Sequence, residues 1–386
     1  MNVFALSRGI ALALALLLGL TPARVPARGS AVYAPGEVLA LTDTDAGADA
    51  LVRAAAPAGY ALLERHDLPA LGFVLVKFAY PEGLTGPAAI LGLESLGIAA
   101  TIGVNHLYRP AASPAAAGRD YAPALLGWPE GGCDAPVSIG VVDTAVSGPD
   151  RPVRGVVQQS FLGPGDLAAD AGHGLAVASL LRGAGARKGL LPRATLFVAA
   201  VAERDGQGAA FVRVDRIARA LDWFAGYGIR VVNVSLSGPR NRVLARTVRA
   251  AAGRGLVVVA AAGNDGPDAG PAYPAAMDDV IAVAALDARL RPYARGNRGA
   301  YVAVAAPGVD VLVATPDGGT RYATGTSFAA PFVAAVVAAG MAREGFQNAA
   351  EARAYLTARA RDLGRPGRDD AFGYGLVDAE DACPAR

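Results

Sequence analysis

From about Leu125 onward the chain alternates between two textures. Six runs, "VSIGVVD", "TLFVAAV", "IRVVNVSL", "GLVVVAAAGN", "VIAVAAL" and "YVAVAAP", are apolar almost without a break and end in polar or turn-forming residues. A strand with one wet face alternates, whereas an unbroken apolar strand is covered on both faces, so these runs predict a buried parallel sheet. Between them "GHGLAVASLLRG", "VRVDRIARALDWFAGYG" and "NRVLARTVRAAAGRG" read as helices. Strands in alternation with helices predict an α/β fold, a mostly parallel sheet with helices on both sides, whose functional groups gather at the carboxyl ends of the strands. Near the end, "FAAPFVAAVVAAGM" reads as a buried helix entered through "TGTS", with Pro331 in its first turn.

Residues 31–110 read differently. "EVLAL", "YALLERHDL", "FVLVKFAY" (with alternating faces) and "IAATIGVNHLYR" predict strands, and "GADALVRAAAPAG" and "GPAAILGLESLG" predict helices. The order βαββαβ is the split pattern of a small ferredoxin-like α+β domain. The Pro-, Ala- and Ser-rich stretch "PAASPAAAGRDYAP" has no period and predicts a linker over 111–124, ahead of the sheet domain at 125–386.

The first 27 residues carry a positive charge at Arg8 ahead of an apolar stretch from Ile10 to Leu20, and small residues at Val25 and Ala27. The apolar stretch is short of the ~20 residues of a membrane span, so 1–27 predicts a cleaved signal peptide, a secreted product (periplasmic or extracellular) and no membrane span after cleavage. Ending soon after "YGLVDA", the chain is expected to carry no appended anchor or binding module. Export would put Cys133 and Cys383 in a disulfide-permissive compartment. They either pair or remain two buried thiols, and export favours pairing. The 386 residues are 53% hydrophobic, enough for a large core, and the formal net charge of +2 gives no footprint for nucleic acid.

Ser327, in "TGTSFAAP", is either a residue at a helix start or a nucleophile held there. A nucleophilic serine needs a base and an orienting carboxylate. Of three histidines, His66 and His106 fall in the N-terminal unit, which leaves His173 in "DAGHGLAVASLL". Asp143 ends "VSIGVVD" at the carboxyl end of a predicted buried strand, where it is a turn residue or that carboxylate. Asn264, in "AAAGNDG", is a turn former or a donor to an oxyanion.

The ordered set "VVDTA", "GHGLAVAS", "NVSLSGP", "AAAGN" and "GTSFAAP", with "YPAAMDDVIAVAALD", "GAYVAVAAPGVDV" and "YGLVDA", resembles the subtilisin-like serine proteases (subtilases, peptidase S8) from Val137 to Asp378. The resemblance implies a subtilisin-like three-layer fold and hydrolysis of peptide bonds in protein or peptide substrates. Asp143 would orient His173, His173 would take the proton of Ser327, and Asn264 would hold the oxyanion. Ser235, Leu236, Ser237 and Gly238, with Ala261, Ala262 and Gly263, would form the substrate cleft. The 31–110 unit would be a propeptide-like inhibitor and folding template, released by self-cleavage between Arg109 and Tyr121. No cofactor is required for this catalysis. Family members often carry structural calcium, but no carboxylate cluster here spells out a site for it.

Two departures from the family pattern touch the site. Leu175 and Ala176 stand where Thr and His are common, and Ala145 stands where Gly is common, which would matter if that turn needs a positive φ. They keep open a weak or inactive peptide-binding scaffold as the alternative. An α/β-hydrolase is rejected, because it needs G-x-S-x-G and the order Ser, Asp, His. No HExxH or Walker loop occurs, "GAGARKG" reads as a turn, and the Asn233 sequon sits at a predicted buried strand end, poorly placed for glycosylation.

Overall fold

The computed structural model describes residues 33–110, 113–114, 120–146, 155–184 and 187–383. The signal peptide expected over 1–27 lies outside the described residues.

The N-terminal unit runs β1 (Tyr33–Thr42), α1 (Asp45–Ala55), β2 (Ala61–Leu68), β3 (Phe73–Ala79), α2 (Gly86–Glu94) and β4 (Thr101–Pro110). The strands pair antiparallel in the order β4-β1-β3-β2. Thr44 and Thr85 start the two helices by accepting from the N–H groups of Gly47 and Ala88. One face of the sheet packs Val38, Val76, Phe78 and Ile102 with Leu51 of α1 and Leu93 of α2. The alternating faces expected of "FVLVKFAY" are present, but both are buried: Val74, Val76 and Phe78 face the helices of this unit, and Leu75 faces away. The cause is a second layer: Leu39, Leu41 and Leu75 on the other face join a cluster with the helices of the larger sheet.

That larger sheet contains β6 (Ser138–Asp143), β7 (Val156–Ser160), β10 (Thr195–Ala200), β13 (Val231–Val234), β15 (Val257–Ala261), β16 (Val280–Leu286) and β17 (Val302–Pro307). Their order is β17-β16-β15-β13-β6-β10-β7, and every neighbouring pair is parallel. One face is covered by α4 (Gly172–Leu181), α7 (Thr326–Glu344) and α8 (Ala349–Arg359), the other by α5 (Val214–Gly226) and α6 (Arg242–Gly253). Helices on both faces explain the unbroken apolar runs. Only β7, an edge strand, is mostly exposed, and its sequence "VVQQS" shows no apolar run.

Among the described residues one helix, α7, is long and apolar enough to cross a membrane, and it is the buried core helix of this layer. Pro331 does not lie in its first turn as expected but farther inside. A proline there has no N–H to give the carbonyl four residues back, that of Ser327.

Shorter elements complete the chain: β5 (Ser113–Pro114), α3 (Ala122–Leu125), the β8 (Gly183–Ala184) and β9 (Arg187–Lys188) pair, β11 (Ala202–Arg204), β12 (Ala210–Arg213), β14 (Leu236–Ser237), β18 (Val311–Ala314) and β19 (Thr320–Thr324). The predicted linker therefore contributes a short strand and part of a helical turn, and β5 pairs antiparallel with Ala323 and Thr324 of β19. Cys133 and Cys383 are joined in a disulfide across a sequence separation of 250.

Candidate active site

Asp143 is the last residue of β6 and is fully buried. Its Oδ1 lies 2.7 Å from His173 Nδ1 and also accepts the N–H of Thr144 at 2.7 Å. These contacts fix the imidazole in the tautomer with hydrogen on Nδ1, which leaves Nε2 as an acceptor. His173 Nε2 is buried and has no hydrogen-bond partner among the described residues. The histidine sits in the first turn of α4, which is drawn against β6 by Thr144: its hydroxyl accepts the N–H of Gly174 at 2.8 Å. A Cβ on Gly174 would stand 2.4 Å from the Thr144 carbonyl oxygen, so a side chain there would push the helix away.

Ser327 lies in the first turn of α7, fully buried, with the Phe328 ring 5.6 Å from the His173 ring. Its hydroxyl donates to the carbonyl of Ser235 at 3.0 Å, and the Ser235 hydroxyl returns a bond to the Ser327 carbonyl at 2.8 Å. That carbonyl is the one Pro331 leaves unclaimed. Asn233 Nδ2 in turn donates to Ser235 Oγ at 2.9 Å, so the sequon asparagine is buried and holds the cleft together from below.

Asn264 follows β15. Its Oδ1 accepts from both the N–H and the hydroxyl of Thr326, at 3.1 and 2.9 Å. With the oxygen so occupied, Nδ2 is turned the other way, buried and without a partner among the described residues. An unpaired buried amide costs about 1–3 kcal/mol unless a ligand takes it up, and marks a place where an acceptor is missing. The hydroxyl of Thr326 also accepts the N–H of Gly263 at 3.2 Å. Thr144, Thr326 and Asn233 therefore hold the site in shape, and none was singled out for this from sequence. A threonine directly after Asp143 and another directly before Ser327 were the available signal.

The departures are accommodated. Leu175 and Ala176 are buried within α4. Ala145 is not in the left-handed region, where the only non-glycine residues among those described are Leu290 and Asp310, so that turn does not demand glycine.

The predicted cleft residues fall into two groups. Ala261 ends β15 and, with Ala262, is fully buried; the carbonyl of Ala262 is bound by the Tyr301 hydroxyl at 2.8 Å. Leu236 and Ser237 form β14, whose edge is occupied: Leu236 pairs with Pro110 and Ser237 with Arg109, antiparallel. On its other side the same stretch of β4 pairs with β12, Tyr108 opposite Val212 and Leu107 opposite Arg213. The end of β4 is thus the middle strand between two short edges of the larger unit. No group of three or more His, Cys, Asp or Glu side chains that could hold a metal ion occurs among the described residues.

Residues 134–375 match the sequence profile of the subtilase family, peptidase S8. The chain is 32% identical over 256 residues to subtilisin DY of Bacillus licheniformis, spanning 64% of this chain and 90% of that protein. It is 34% identical over 255 residues to subtilisin BL of Lederbergia lenta, with the same shares. Among solved structures, fervidolysin from Fervidobacterium pennivorans, a keratinolytic enzyme related to subtilisin, superposes with a TM-score of 0.73 at 23% identity. That match covers 91% of this chain and 61% of fervidolysin and concerns the fold. The S41 psychrophilic protease matches at 30% identity and a TM-score of 0.56, covering 64% of this chain and 92% of that one. The chain belongs to the subtilase family of serine endopeptidases, which act on protein or peptide chains.

Proposed function

We propose that this chain is a secreted endopeptidase that works through Asp143, His173 and Ser327, with Asn264 in the oxyanion hole, and that it is made as a zymogen. The observation that carries the reading is the 2.7 Å contact of Asp143 with His173 Nδ1, beside an imidazole Nε2 that has no other partner among the described residues. In the reaction the Ser327 hydroxyl leaves the Ser235 carbonyl and turns to His173 Nε2. His173 accepts the proton as Oγ attacks the scissile carbonyl. The developing oxyanion accepts from Asn264 Nδ2 and from the backbone N–H of Ser327 at the N-terminus of α7, where the helix dipole adds to the field. Asp143 stabilises the imidazolium, which then gives its proton to the leaving amine. Water, deprotonated by the same imidazole, hydrolyses the acyl-enzyme and restores Ser327.

In this reading the N-terminal unit is an intramolecular inhibitor whose exit strand occupies the cleft in the manner of a substrate. Support comes from two anchors: Arg109 and Pro110 on β14, and Ser113 and Pro114 on β19, the strand that leads into Ser327. Self-cleavage is then confined to the peptide bonds between Pro110 and Ser113, narrower than the Arg109 to Tyr121 window expected from sequence. Secretion rests on the leader-like residues 1–27, and calcium is left out of the proposal.

The test is the intact mass and N-terminal sequence of the exported protein, wild type beside Ser327→Ala. The expected result is a wild-type chain starting between residues 111 and 113 and a variant that keeps the N-terminal unit. A wild-type chain that keeps the unit, with no hydrolysis of casein, refutes the proposal and leaves the peptide-binding scaffold.

A further inference from the structure

Where the N-terminal unit meets α6 there is a recess of about 520 Å³ that contains none of the residues assigned to catalysis. Phe73 of β3 and Thr101 of β4 line it from the N-terminal unit, and Arg240, Arg242, Arg246 and Arg249 line it from the larger one, together with two alanines of α6. Arg242, Arg246 and Arg249 follow one another at spacings of four and three residues, so they share one face of α6. The lining thus holds four guanidinium groups and no carboxylate.

Two of the four are engaged by carboxylates of the N-terminal unit. Arg242 meets Glu94 Oε1 at 2.6 Å, and Arg246 is paired with Asp43. Arg246 is also held in position: it donates to the Thr101 hydroxyl at 2.8 Å and lies over the Phe73 ring, 4.8 Å from its centroid. The other two are less committed. Arg249 stands 3.8 Å from Asp279, beyond hydrogen-bonding distance, and Arg240 has no ion pair among the described residues.

Four like charges around one hollow repel one another, and water and salt screen them only in part. An anion bearing several charges relieves that repulsion, and guanidinium forks match phosphate oxygens two at a time. The recess has the volume of a small-molecule site. We infer that it is a binding site for a compact polyphosphate, and that its occupant loosens the N-terminal unit. That unit gives the recess one ring and one hydroxyl, but through Asp43 and Glu94 it withholds two guanidinium groups from the ligand. Binding is therefore weaker while the unit is in place and tighter once it has gone, and by linkage the ligand favours departure by the same factor. The site stands by itself; the loosening rests on the zymogen reading above.

Isothermal titration calorimetry with sodium tripolyphosphate, at neutral pH and constant ionic strength, tests the site on the full-length Ser327→Ala chain. The expected result is one ligand per chain. Arg240→Gln with Arg249→Gln leaves the ion pairs to the N-terminal unit alone and is expected to weaken binding about tenfold or more. Asp43→Asn with Glu94→Gln is expected to act in the opposite direction, tightening it about fivefold. No binding, several ligands per chain, or an affinity indifferent to the two arginines overturns the site. In the wild-type chain, tripolyphosphate is expected to shorten the delay before peptide-hydrolysing activity appears, and to lose that effect in the Arg240→Gln, Arg249→Gln variant. A delay that a bound ligand leaves unchanged or lengthens overturns the loosening. A wild type that never processes itself refutes the zymogen reading and the loosening with it, while the calorimetry decides the site independently.

Discussion

Lys77 of β3 and Asp215 in the first turn of α5 meet at 3.1 Å with both side chains buried, one from each unit of the molecule. Glu64 completes the pairing of Lys77 at 2.5 Å, and Asn105 donates to the other oxygen of Asp215 at 3.1 Å. Burial opposes the charge on Asp215, yet Lys77 and Arg216 hold its pKa below the usual carboxylate value. Burial likewise opposes the charge on Lys77, and Asp215 with Glu64 raise its pKa all the same. The sign of each shift fixes a window. A depressed carboxylate contributes stability above its unfolded pKa and loses it as pH falls through the folded value. A raised ammonium contributes below its unfolded pKa and loses it as pH rises through the folded one.

Removing one partner strands the other in a dry interface. Lys77→Met is expected to weaken the hold of the N-terminal unit by about 3 kcal/mol, and Lys77→Met with Asp215→Leu to recover much of it. Urea unfolding of the Ser327→Ala chain at neutral pH measures both. A single variant as stable as its parent would mean the pair is not closed in solution.

His106 of β4 supplies a second pH dependence, at the acid end. Burial lowers its pKa to about 4, and its neutral ring stands 2.9 Å from Asn241 Nδ2 and edge-on to Tyr33. The folded chain therefore resists a proton that the unfolded chain accepts near pH ~6.5. Its contribution is complete above that pH and is lost as pH falls toward 4, with a slope of at most about one proton. Chemical denaturation at several pH values should show that slope in the Ser327→Ala chain and a shallower one after His106→Gln.

Asn264→Ala is expected to lower kcat by ~10²–10³ with little change in KM, because its donor acts on charge that exists only in the transition state. Thr326→Val removes one of the two bonds to the Asn264 oxygen, the hydroxyl's, and should give part of that loss, whereas Thr326→Ser keeps both bonds and should be nearly silent. Steady-state kinetics on a casein-derived peptide separates the three.

Ser235 and Pro331 form a testable pair through the Ser327 carbonyl. Ser235→Ala removes a donor to the Ser327 carbonyl and should cost about 1 kcal/mol. In a Pro331→Ala background the new N–H can claim that carbonyl, so the same change should cost less. A double-mutant cycle by denaturant unfolding reads the coupling, and simple additivity would argue against it.

Joint replacement of Cys133 and Cys383 by serine should destabilise the chain by about 2–5 kcal/mol, since the bridge closes a loop spanning 250 positions. Thermal unfolding under non-reducing conditions, beside the unmodified protein, gives the difference.

Much of the larger unit was legible because β6, β10, β13, β15, β16 and β17 are buried on both sides, and double burial writes itself into composition. The placement of Asp143, His173 and Ser327 was legible for a related reason: each stands at the end of such a run or at the start of a helix. What escaped was decided by distance. β12 and β14 are four and two residues long, and nothing local marks them as strands; they exist because β4 lies between them. The polar edge strand β7 shows no pattern at all. The burial of both faces of β3 reflects a second layer contributed by helices more than a hundred positions later. Thr144 and Thr326 look like any threonine until Gly174 and Asn264 are placed beside them.

The central position of β4 bears on solubility. Without β4, β12 and β14 would be short edges with unpaired N–H and C=O groups, held at a spacing that accepts one extended chain. Two such rows side by side invite strands from other molecules, and a sheet assembled slowly from distant segments would meet them while still incomplete. Capped by β4, the pair has no unpaired row to offer. The strand that lies between β12 and β14 therefore also keeps a newly folded chain from being stitched to its neighbours.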